Sequence, residues 1–260
     1  MPQSDRPALS VLITAKNEEE MLPGALASVA EVAGEVVVVV DAASTDATED
    51  LARQAGARVF RHPFVSSAQQ INWGLELCTC PWVLVLDADE RVSPPLAAAL
   101  TNALKNPQGD AYAVRRLNWA LGRRVRFGDW GWDWVVRVVR RQRVRFADRW
   151  VHGVAEVKGA ARLPGPLHHL TFRSFSQYLP KVVAYALRGA QQARREGKRC
   201  SLGMAVARAE WRFVRSYLLR LGFLDGRVGL ILAVLAAYGT FLKWASVAAG
   251  ADEAALGSVE

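Results

Sequence analysis

The chain has 260 residues, 51% of them hydrophobic, and carries a formal net charge of +8. This length and hydrophobic content fit one well-packed domain with a C-terminal extension, and no repeat or long linker interrupts it. Three cysteines cannot all pair, and Cys78 and Cys80 have no partners at zinc-binding spacing, which argues against a disulfide-stabilised or zinc-bound fold. Residues Met1–Arg6 contain no apolar signal region, so we expect a cytoplasmic protein.

The first half of the chain alternates between predicted strands and predicted helices. Four apolar runs have the length of strands: Leu9–Ala15, Glu35–Asp41, Ala57–Phe60 and Trp82–Asp87. Helical periodicity covers Met21–Val32 and Glu49–Ala55 between them. This alternation implies right-handed crossovers and a Rossmann-like α/β fold, with a mostly parallel sheet flanked by helices.

Polar residues follow three of these strands at the point where each strand ends. Thr14–Glu18 end the first strand, Asp41 the second, and Asp87 with Asp89 the fourth. Open α/β sheets bind their ligands at this edge. Two carboxylates one residue apart repel each other, and a hard divalent cation shared with substrate phosphates is the usual reason to keep them together. The alternative is an acidic turn before a helix that begins at Ser93-Pro94.

The order of these motifs resembles the family 2 inverting glycosyltransferases, which have the nucleotide-sugar-binding GT-A fold. Ser10–Glu19 is similar to the opening strand and loop of that family, and Val40–Asp46 is similar to its second loop. Leu86–Val92 is similar to its metal-binding DxD motif. The segments that resemble the branch adding sugars to the lipopolysaccharide core are Arg115–Arg141, Val151-His152 and Gly222–Gly226.

The resemblance implies a donor site for a nucleoside diphosphate sugar, with a UDP-sugar favoured. Asp41 would hold the nucleotide base, and Mg²⁺ or Mn²⁺ on Asp87 or Asp89 would neutralise the charge that develops on the leaving diphosphate. In several families of this fold a downstream histidine completes the metal shell, and His152 is assigned to that role. The other residues assigned to donor binding are Thr14, Ala15, Asn17, Glu18, Asn72 and Ala88.

Two positions depart from the family pattern. Gly153 stands where the lipopolysaccharide branch usually has a glutamate after Val-His, so another group must do what that acid does. Ile71 stands where a basic residue commonly precedes the asparagine, which is Asn72 here, and this removes one expected contact to the diphosphate.

Transfer of a sugar to a hydroxyl also needs a general base, which contributes roughly 10²–10⁴ in rate. Asp133 is our candidate, because the spacing of Asp133 and Arg137 is similar to that of the family's catalytic acid and the arginine after it. Asp129 and Glu156 remain as alternative bases.

Four tryptophans lie close together in the sequence: Trp119, Trp130, Trp132 and Trp134. Aromatic faces suit the apolar side of a sugar ring, so we predict that Trp130 and Trp132 contact substrate. The alternative is that this segment packs a small subdomain. Arginines in the same segment could hold a diphosphate or a phosphorylated acceptor.

The C-terminal third predicts helices that contact a membrane surface. From Phe175 to Arg220, basic residues alternate with aromatic and aliphatic ones at helical spacing, as in helices that lie in an anionic lipid interface. A basic face over a core helix is the alternative. Val228–Trp244 is shorter than the roughly 20 apolar residues that span a bilayer, so we expect a packed or interfacial helix. No nucleic-acid partner is expected, because the arginines follow no recognition pattern.

We therefore predict a catalytic domain over residues 1–170, with a nucleotide-sugar half at about 8–110 and an acceptor half at about 111–170, then an amphipathic helical region over 171–260. The predicted reaction is inverting transfer of a hexose or heptose to a lipid-linked saccharide at the inner face of the cell membrane, in the synthesis of lipopolysaccharide core or a related envelope glycan. One alternative is a sugar-phosphate nucleotidyltransferase, although its glycine-rich phosphate loop is absent. Another is a non-catalytic basic adaptor that binds membrane or nucleic acid.

Overall fold

The computed structural model describes residues 8–131, 133–149 and 152–250, with the backbone alone for residues 148, 149 and 152. The described residues divide into two compact units. The first contains those of Met1–Leu117 and Asp133–Leu170, and the second contains those of Asn118–Trp132 and Thr171–Glu260.

A mixed β-sheet forms the centre of the first unit. The strands of the chain are β1 (Leu9–Ala15), β2 (Glu35–Asp41), β3 (Arg58–His62), β4 (Trp82–Asp87), β5 (Glu90–Val92), β6 (Ala111–Ala120), β7 (Arg123–Arg124), β8 (Asp133–Arg140), β9 (Phe146–Arg149), β10 (His152–Ala155) and β11 (Ala161–Phe172). The order in the sheet is β3-β2-β1-β4-β8-β6-β11-β5, with β7 paired to the end of β6. Strands β9 and β10 form a separate two-stranded ribbon.

The four strands predicted in the first half of the chain are parallel neighbours, and antiparallel strands extend the sheet from β4. The helices of this unit are α1 (Leu22–Val29), α2 (Thr48–Gln54), α3 (Ser67–Leu77) and α4 (Pro94–Lys105). Ser93 caps α4, because its Oγ accepts a hydrogen bond of 3.3 Å from the Leu96 amide. The predicted α/β fold, with parallel strands flanked by helices, is confirmed.

The unbroken apolar runs exist because both faces of the parallel strands are covered. Val38 and Val40 of β2 pack in a core that includes α1 and α4, whereas Val37 and Val39 pack in a core that includes α3. Each fully buried aliphatic side chain contributes about 1.5–3 kcal/mol, so the two cores hold the sheet in place. Gly74 lets α3 approach β1 closely, since a Cβ there would lie 2.5 Å from Leu12 Cδ1.

Three helices dominate the second unit: α5 (Phe175–Arg195), α6 (Leu202–Val214) and α7 (Gly226–Ala249). The last of these packs against the other two. A small core around Phe172 and Val228 joins the start of α7 to the segment that contains Trp130. The C-terminal helical region expected from the sequence is therefore present.

One helical segment in the described part of the chain, Gly222–Ala249, which contains α7, is long and apolar enough to cross a membrane, with a mean hydropathy of 1.7 over its most apolar 18 residues. It is longer than the predicted apolar segment because Arg227 and Lys243 lie inside the helix instead of ending it. The Lys243 ammonium lies 5.1 Å from the centre of the Trp244 ring, within range of a cation–π contact. Contact of this helix with a membrane stays a prediction.

Candidate active site

The polar residues predicted to meet at one edge of the sheet do lie side by side. Thr14 is opposite Asp87 in the register of β1 and β4, and Ala15 is opposite Val40, the residue before Asp41. Ala88, directly after β4, is buried. The candidate donor-binding residues of three strands therefore share the carboxyl-terminal edge, as the parallel arrangement requires.

Asp41 is a buried carboxylate at this edge. Its Oδ2 lies 2.9 Å from the Lys16 ammonium, and its Oδ1 accepts a hydrogen bond of 3.0 Å from the Ala43 amide. Burial by itself would raise the pKa of Asp41, but the Ala43 amide and the Lys16 ammonium together hold that pKa below its ordinary value. The side chain is therefore an ionised hydrogen-bond acceptor at neutral pH.

Hydrogen bonds join the loop after β1 to the loop after β2. Asn17 has a left-handed backbone (φ 51°), which asparagine tolerates, and its Oδ1 accepts a bond of 2.9 Å from the Thr45 amide. The Asn17 amide donates to Ser44 Oγ, and the Glu18 amide donates to Thr48 Oγ1 at 2.8 Å. Asn17 and Glu18, predicted to bind substrate, thus also shape the two loops around Asp41.

A buried arginine on β8 connects two of the acids that follow β4. Arg137 donates to Asp87 Oδ2 and, at 2.6 Å, to Glu90 Oε1, while Glu90 Oε2 accepts a bond of 3.0 Å from the Asp87 amide. Burial raises the pKa of Glu90 above its ordinary value in spite of the nearby guanidinium. Burial opposes the charge on Arg137, yet the carboxylates of Asp87 and Glu90 raise its pKa.

Asp133, the predicted base, belongs to the same network. Its Oδ2 accepts bonds from Arg116 Nε at 2.7 Å and Nη2 at 2.5 Å, and Arg116 Nη1 lies 3.6 Å from Glu90 Oε1. Alternating charges thus connect Asp133 to Asp87 through three other side chains. Arg116 and Glu90 were not predicted as site residues, and a third acid directly after the Asp-x-Asp pair is the signal in the sequence that points to Glu90.

His169, which was not predicted as a metal ligand, lies beside Asp89. Nε2 of His169 lies 3.5 Å from Asp89 Oδ2, and the Leu170 amide donates to the Asp89 carbonyl at 2.9 Å. The antiparallel pairing of β11 with β5, which places His169 opposite Glu90, brings them together. His152 begins β10, and its side chain lies outside the described residues.

The residues around Asp89 fit a divalent ion only if substrate completes the shell. Among the described residues, no group of three or more His, Cys, Asp or Glu side chains is arranged to hold a metal. Asp89 and His169 supply one carboxylate and one imidazole. Mg²⁺ commonly binds one or two carboxylates together with substrate phosphates, and Mn²⁺ accepts similar ligands, so the donor set suits either ion beside a diphosphate.

Other predicted residues have contacts that do not involve the charge network, or lie outside the described residues. The Asn72 side chain bonds the backbone of Phe146 in both directions, at 2.8 and 2.9 Å. Trp130 belongs to the second unit, where its ring meets Tyr178 edge to face at 5.7 Å between centroids. Trp132 lies outside the described residues. Substrate contacts by these three residues stay predictions.

The two alternative bases have different surroundings. In the second unit, the buried Asp129 carboxylate lies 2.7 Å from Arg220, 3.0 Å from Arg212 and 3.2 Å from Arg215. Three guanidinium groups around two oxygens leave little room for a hydroxyl. Glu156 is exposed and follows β10, and its backbone amide donates a hydrogen bond of 2.8 Å to the Arg145 carbonyl.

The missing family acid has a steric explanation. A Cβ at Gly153 would lie 3.0 Å from Cα and 3.1 Å from the amide nitrogen of Ala68, near the start of α3. Backbone atoms of a helix cannot move aside as a flexible side chain does. In this chain the close packing of β10 on α3 therefore favours glycine, because any Cβ would make a tight contact with the α3 backbone.

A protein family and individual glycosyltransferases are similar to this chain. A model described as "Glycosyl transferase family 2" matches residues 10–153. A glycosyltransferase of Rickettsia typhi is 25% identical over 252 residues, which cover 92% of this chain and 86% of the relative. One from Mycobacterium bovis is 32% identical over 163 residues, covering 60% of this chain and 68% of the relative.

Among solved structures, one similar chain is glucosyl-3-phosphoglycerate synthase from Mycobacterium tuberculosis, in complex with Mn²⁺, UDP and glucosyl-3-phosphoglycerate. It is 16% identical, with a TM-score of 0.49, and the match covers 75% of this chain and 82% of that one.

Proposed function

The chain belongs to glycosyl transferase family 2, and from this premise we propose that it moves a sugar from a UDP-sugar to a lipid-linked saccharide with inversion at the anomeric carbon. Membership of the family decides for glycosyl transfer over the nucleotidyltransferase and the non-catalytic adaptor. The observation that carries the proposal is the charge network from Asp133 to Asp87 at the sheet edge where donor residues gather.

We assign the nucleotide to the edge formed by β1, β2 and β4. The ionised Asp41 carboxylate can accept a hydrogen bond from the N–H group of a pyrimidine base. Thr14 and Asp87 lie opposite each other on neighbouring strands, so the ribose and diphosphate would follow the strand ends from Asp41 toward Asp89. The order of these residues along the edge thus matches the order of groups in a UDP-sugar.

The donor set fits Mg²⁺ or Mn²⁺, with Asp89 and His169 as proposed ligands. Asp87, which pairs with Arg137, and His152 stay predicted ligands. When bound, the ion would supply positive charge against the leaving diphosphate. Arg137 already supplies a fixed positive charge in contact with Asp87. Its burial between two carboxylates keeps the guanidinium oriented without reorganisation during the reaction.

Asp133 is the proposed general base. The two hydrogen bonds from Arg116 are both accepted by Oδ2, so we assign Oδ1 to the proton of the acceptor hydroxyl. As the acceptor oxygen bonds to the anomeric carbon, the bond from that carbon to the diphosphate oxygen breaks, and the proton passes to Asp133. Arg116 holds the carboxylate in place through two bonds.

The proposals for the acceptor and for its location are based on the side chains of the second unit. Its described helices carry arginines and lysines together with many exposed apolar side chains, which suits an anionic membrane surface. We therefore propose a lipid-linked saccharide at the cytoplasmic face of the membrane, in lipopolysaccharide core or related envelope glycan synthesis.

Two readouts on purified variants test this proposal: sugar transfer from UDP-sugars to an extract of lipid-linked saccharides, and the shift in melting temperature caused by UDP with and without Mn²⁺. We expect Asp133→Asn to lower transfer by about 10²–10⁴ while the UDP shift is kept, since only the base is lost. Asp89→Asn should reduce the Mn²⁺-dependent part of the UDP shift. Asp110→Asn, an exposed acid in the same unit, is the matched control and should leave both readouts unchanged.

Different failures have different meanings. Full turnover by Asp133→Asn would move the base to Glu156 or Asp129. A wild-type protein that UDP does not stabilise in the presence of Mn²⁺ would contradict the proposed donor. Stabilisation by DNA alone would contradict the assignment of partners.

A further inference from the structure

The connection between α6 and α7 exposes an unusual number of large apolar side chains. It consists of a π-helical turn over Arg215–Leu219 and a 3-10 turn over Gly222–Asp225. We name the segment Leu218–Leu224 the apolar tip. Five of its seven residues are large apolar side chains with 43% to 61% of their surface exposed: Leu218, Leu219, Leu221, Phe223 and Leu224.

Close contacts restrict the backbone conformation of the apolar tip, so its large apolar side chains are exposed in the folded unit. Leu221 has a left-handed backbone (φ 57°), which is costly for a leucine. A Cβ at Gly222 would lie 2.6 Å from the Ser216 carbonyl oxygen, and one at Gly229 would overlap the Gly222 carbonyl. The chain therefore has glycine where backbone segments meet and directs its leucines outward.

Hydrogen bonds of Asp225 and of the Arg220 carbonyl also hold the apolar tip in place. The Asp225 carboxylate accepts hydrogen bonds from the amides of Arg126 at 3.0 Å and Phe127 at 2.8 Å, and the Gly128 amide donates to the Arg220 carbonyl at 2.9 Å. These bonds hold the apolar tip on the loop that carries Asp129.

Positive charge surrounds the apolar tip. Arg212, Arg215 and Arg220 share the single carboxylate of Asp129, so the four groups together carry two excess positive charges. Their guanidinium groups remain partly exposed, and Arg227 is exposed just beyond the tip. Guanidinium groups bind phosphate oxygens in a bidentate manner. An apolar surface bordered by phosphate-binding groups is complementary to the interface of an anionic bilayer.

We propose that the apolar tip inserts into the interfacial layer of an anionic phospholipid membrane, with the surrounding arginines on lipid phosphates. This inference deepens the proposed function, since it rests on a lipid-linked acceptor and names the segment that contacts the lipid. Leu230, Val234 and Tyr238 extend an exposed stripe along α7 at helical spacing, which continues the same surface away from the tip.

The test is flotation of the full chain with vesicles of mixed zwitterionic and anionic phospholipid. The double variant Leu219→Glu, Leu224→Glu should bind about 10-fold more weakly or worse, because two inserted leucines are replaced by charges that the lipid repels. The matched control is the double variant Val65→Glu, Val154→Glu in the first unit, where these two apolar side chains are 68% and 42% exposed. It should bind within about twofold of the wild type.

Melting temperature with and without UDP accompanies each variant, and the milder Leu219→Asn substitution replaces the double variant if that one does not fold. An unchanged UDP shift shows that the donor site is intact, so loss of vesicle binding and failure of the proposed function are separate results. Wild-type binding by the folded tip variants would overturn the inference. An equal loss in the control Val65→Glu, Val154→Glu would also overturn it, because binding would then not depend on the tip.

Discussion

At the scale of single residues, buried charged side chains have different roles at the two ends of the parallel strands. At the carboxyl-terminal edge, Glu90 and Arg137 are buried and paired with groups that reach solvent. Buried ion pairs contribute little net stability, because desolvation offsets their attraction. Their place beside Asp87 is therefore better explained by orientation of the site than by stabilisation of the fold.

Glu35, at the amino-terminal end of β2, is a stabilising carboxylate by contrast. It accepts hydrogen bonds from Ser10 Oγ at 2.5 Å, from the amide and hydroxyl of Thr79 at 2.5 and 2.8 Å, and from Arg58 at 2.8 Å. Burial alone would raise its pKa, but the bonds from Ser10, Thr79 and Arg58 lower the pKa to about 2 from 4.5.

A lowered pKa means that the folded state favours the ionised form of Glu35. This contribution is complete above pH 4.5 and is lost as the pH falls through about 2. We predict that Glu35→Gln lowers the free energy of unfolding by about 2 kcal/mol at pH 7, and that the difference from the wild type shrinks between pH 4.5 and 2. Urea unfolding at a series of pH values measures it, with the exposed Glu31→Gln as control. A difference that does not change with pH would contradict this account.

At the scale of elements, two glycines let α3 pack closely against β1 and β10. Gly74 allows the helix to touch Leu12 of β1, and Gly153 allows β10 to touch Ala68 of the helix. Asn72 then bonds the backbone of Phe146 on β9 from both ends of its amide. The ribbon of β9 and β10 is thus fastened to α3 by packing and by hydrogen bonds.

This packing makes a prediction about the family acid. We expect Gly153→Glu to lower the free energy of unfolding by about 1–3 kcal/mol, because its Cβ would press on the α3 backbone. Gly153→Ala should produce most of the same loss, since the conflict is at Cβ. Thermal unfolding measures both variants. The control is Gly203→Glu in the first turn of α6, where a Cβ meets nothing within 4 Å; a Gly153→Glu protein as stable as this control would refute the steric explanation.

At the scale of the whole molecule, the net charge of +8 affects how the chain associates with charged partners and not which fold it adopts. Long-range attraction between exposed charges depends on ionic strength, because the Debye length falls from about 10 Å at 0.1 M salt to about 3 Å at 1 M. Insertion of apolar side chains has no such dependence. The two contributions to membrane binding should therefore separate in a salt titration.

We predict that binding of the wild-type chain to anionic vesicles weakens steadily as salt rises, whereas its weaker binding to purely zwitterionic vesicles stays nearly constant. Flotation at several salt concentrations measures both. Salt-independent binding to anionic vesicles would show that the basic residues play no part in the attraction.

The sequence by itself determined the strands and the sheet edge that collects the candidate donor residues. Apolar β-branched runs and the acids that end them are local signals, because a strand buried on both faces needs apolar residues at every position and solvent begins where it ends. The start of a helix at Ser93 and the C-terminal helices were also predicted from local signals, namely a capping serine before proline and the helical spacing of basic and apolar residues. The family resemblance singled out Asp133 and Arg137 by their spacing, whereas in the structure Asp133 pairs with Arg116 and Arg137 pairs with Asp87 and Glu90.

Only the tertiary structure decided which groups meet. Arg116 and Arg137 reach Glu90 from β6 and β8, and His169 reaches Asp89 because β11 pairs with β5. Likewise, three arginines of the second unit surround Asp129, and no residue near Asp129 in the sequence predicts this contact. These contacts join residues tens of positions apart through antiparallel pairing and helix packing. Such pairing depends on the energy of the assembled chain and leaves no periodic pattern in any single segment.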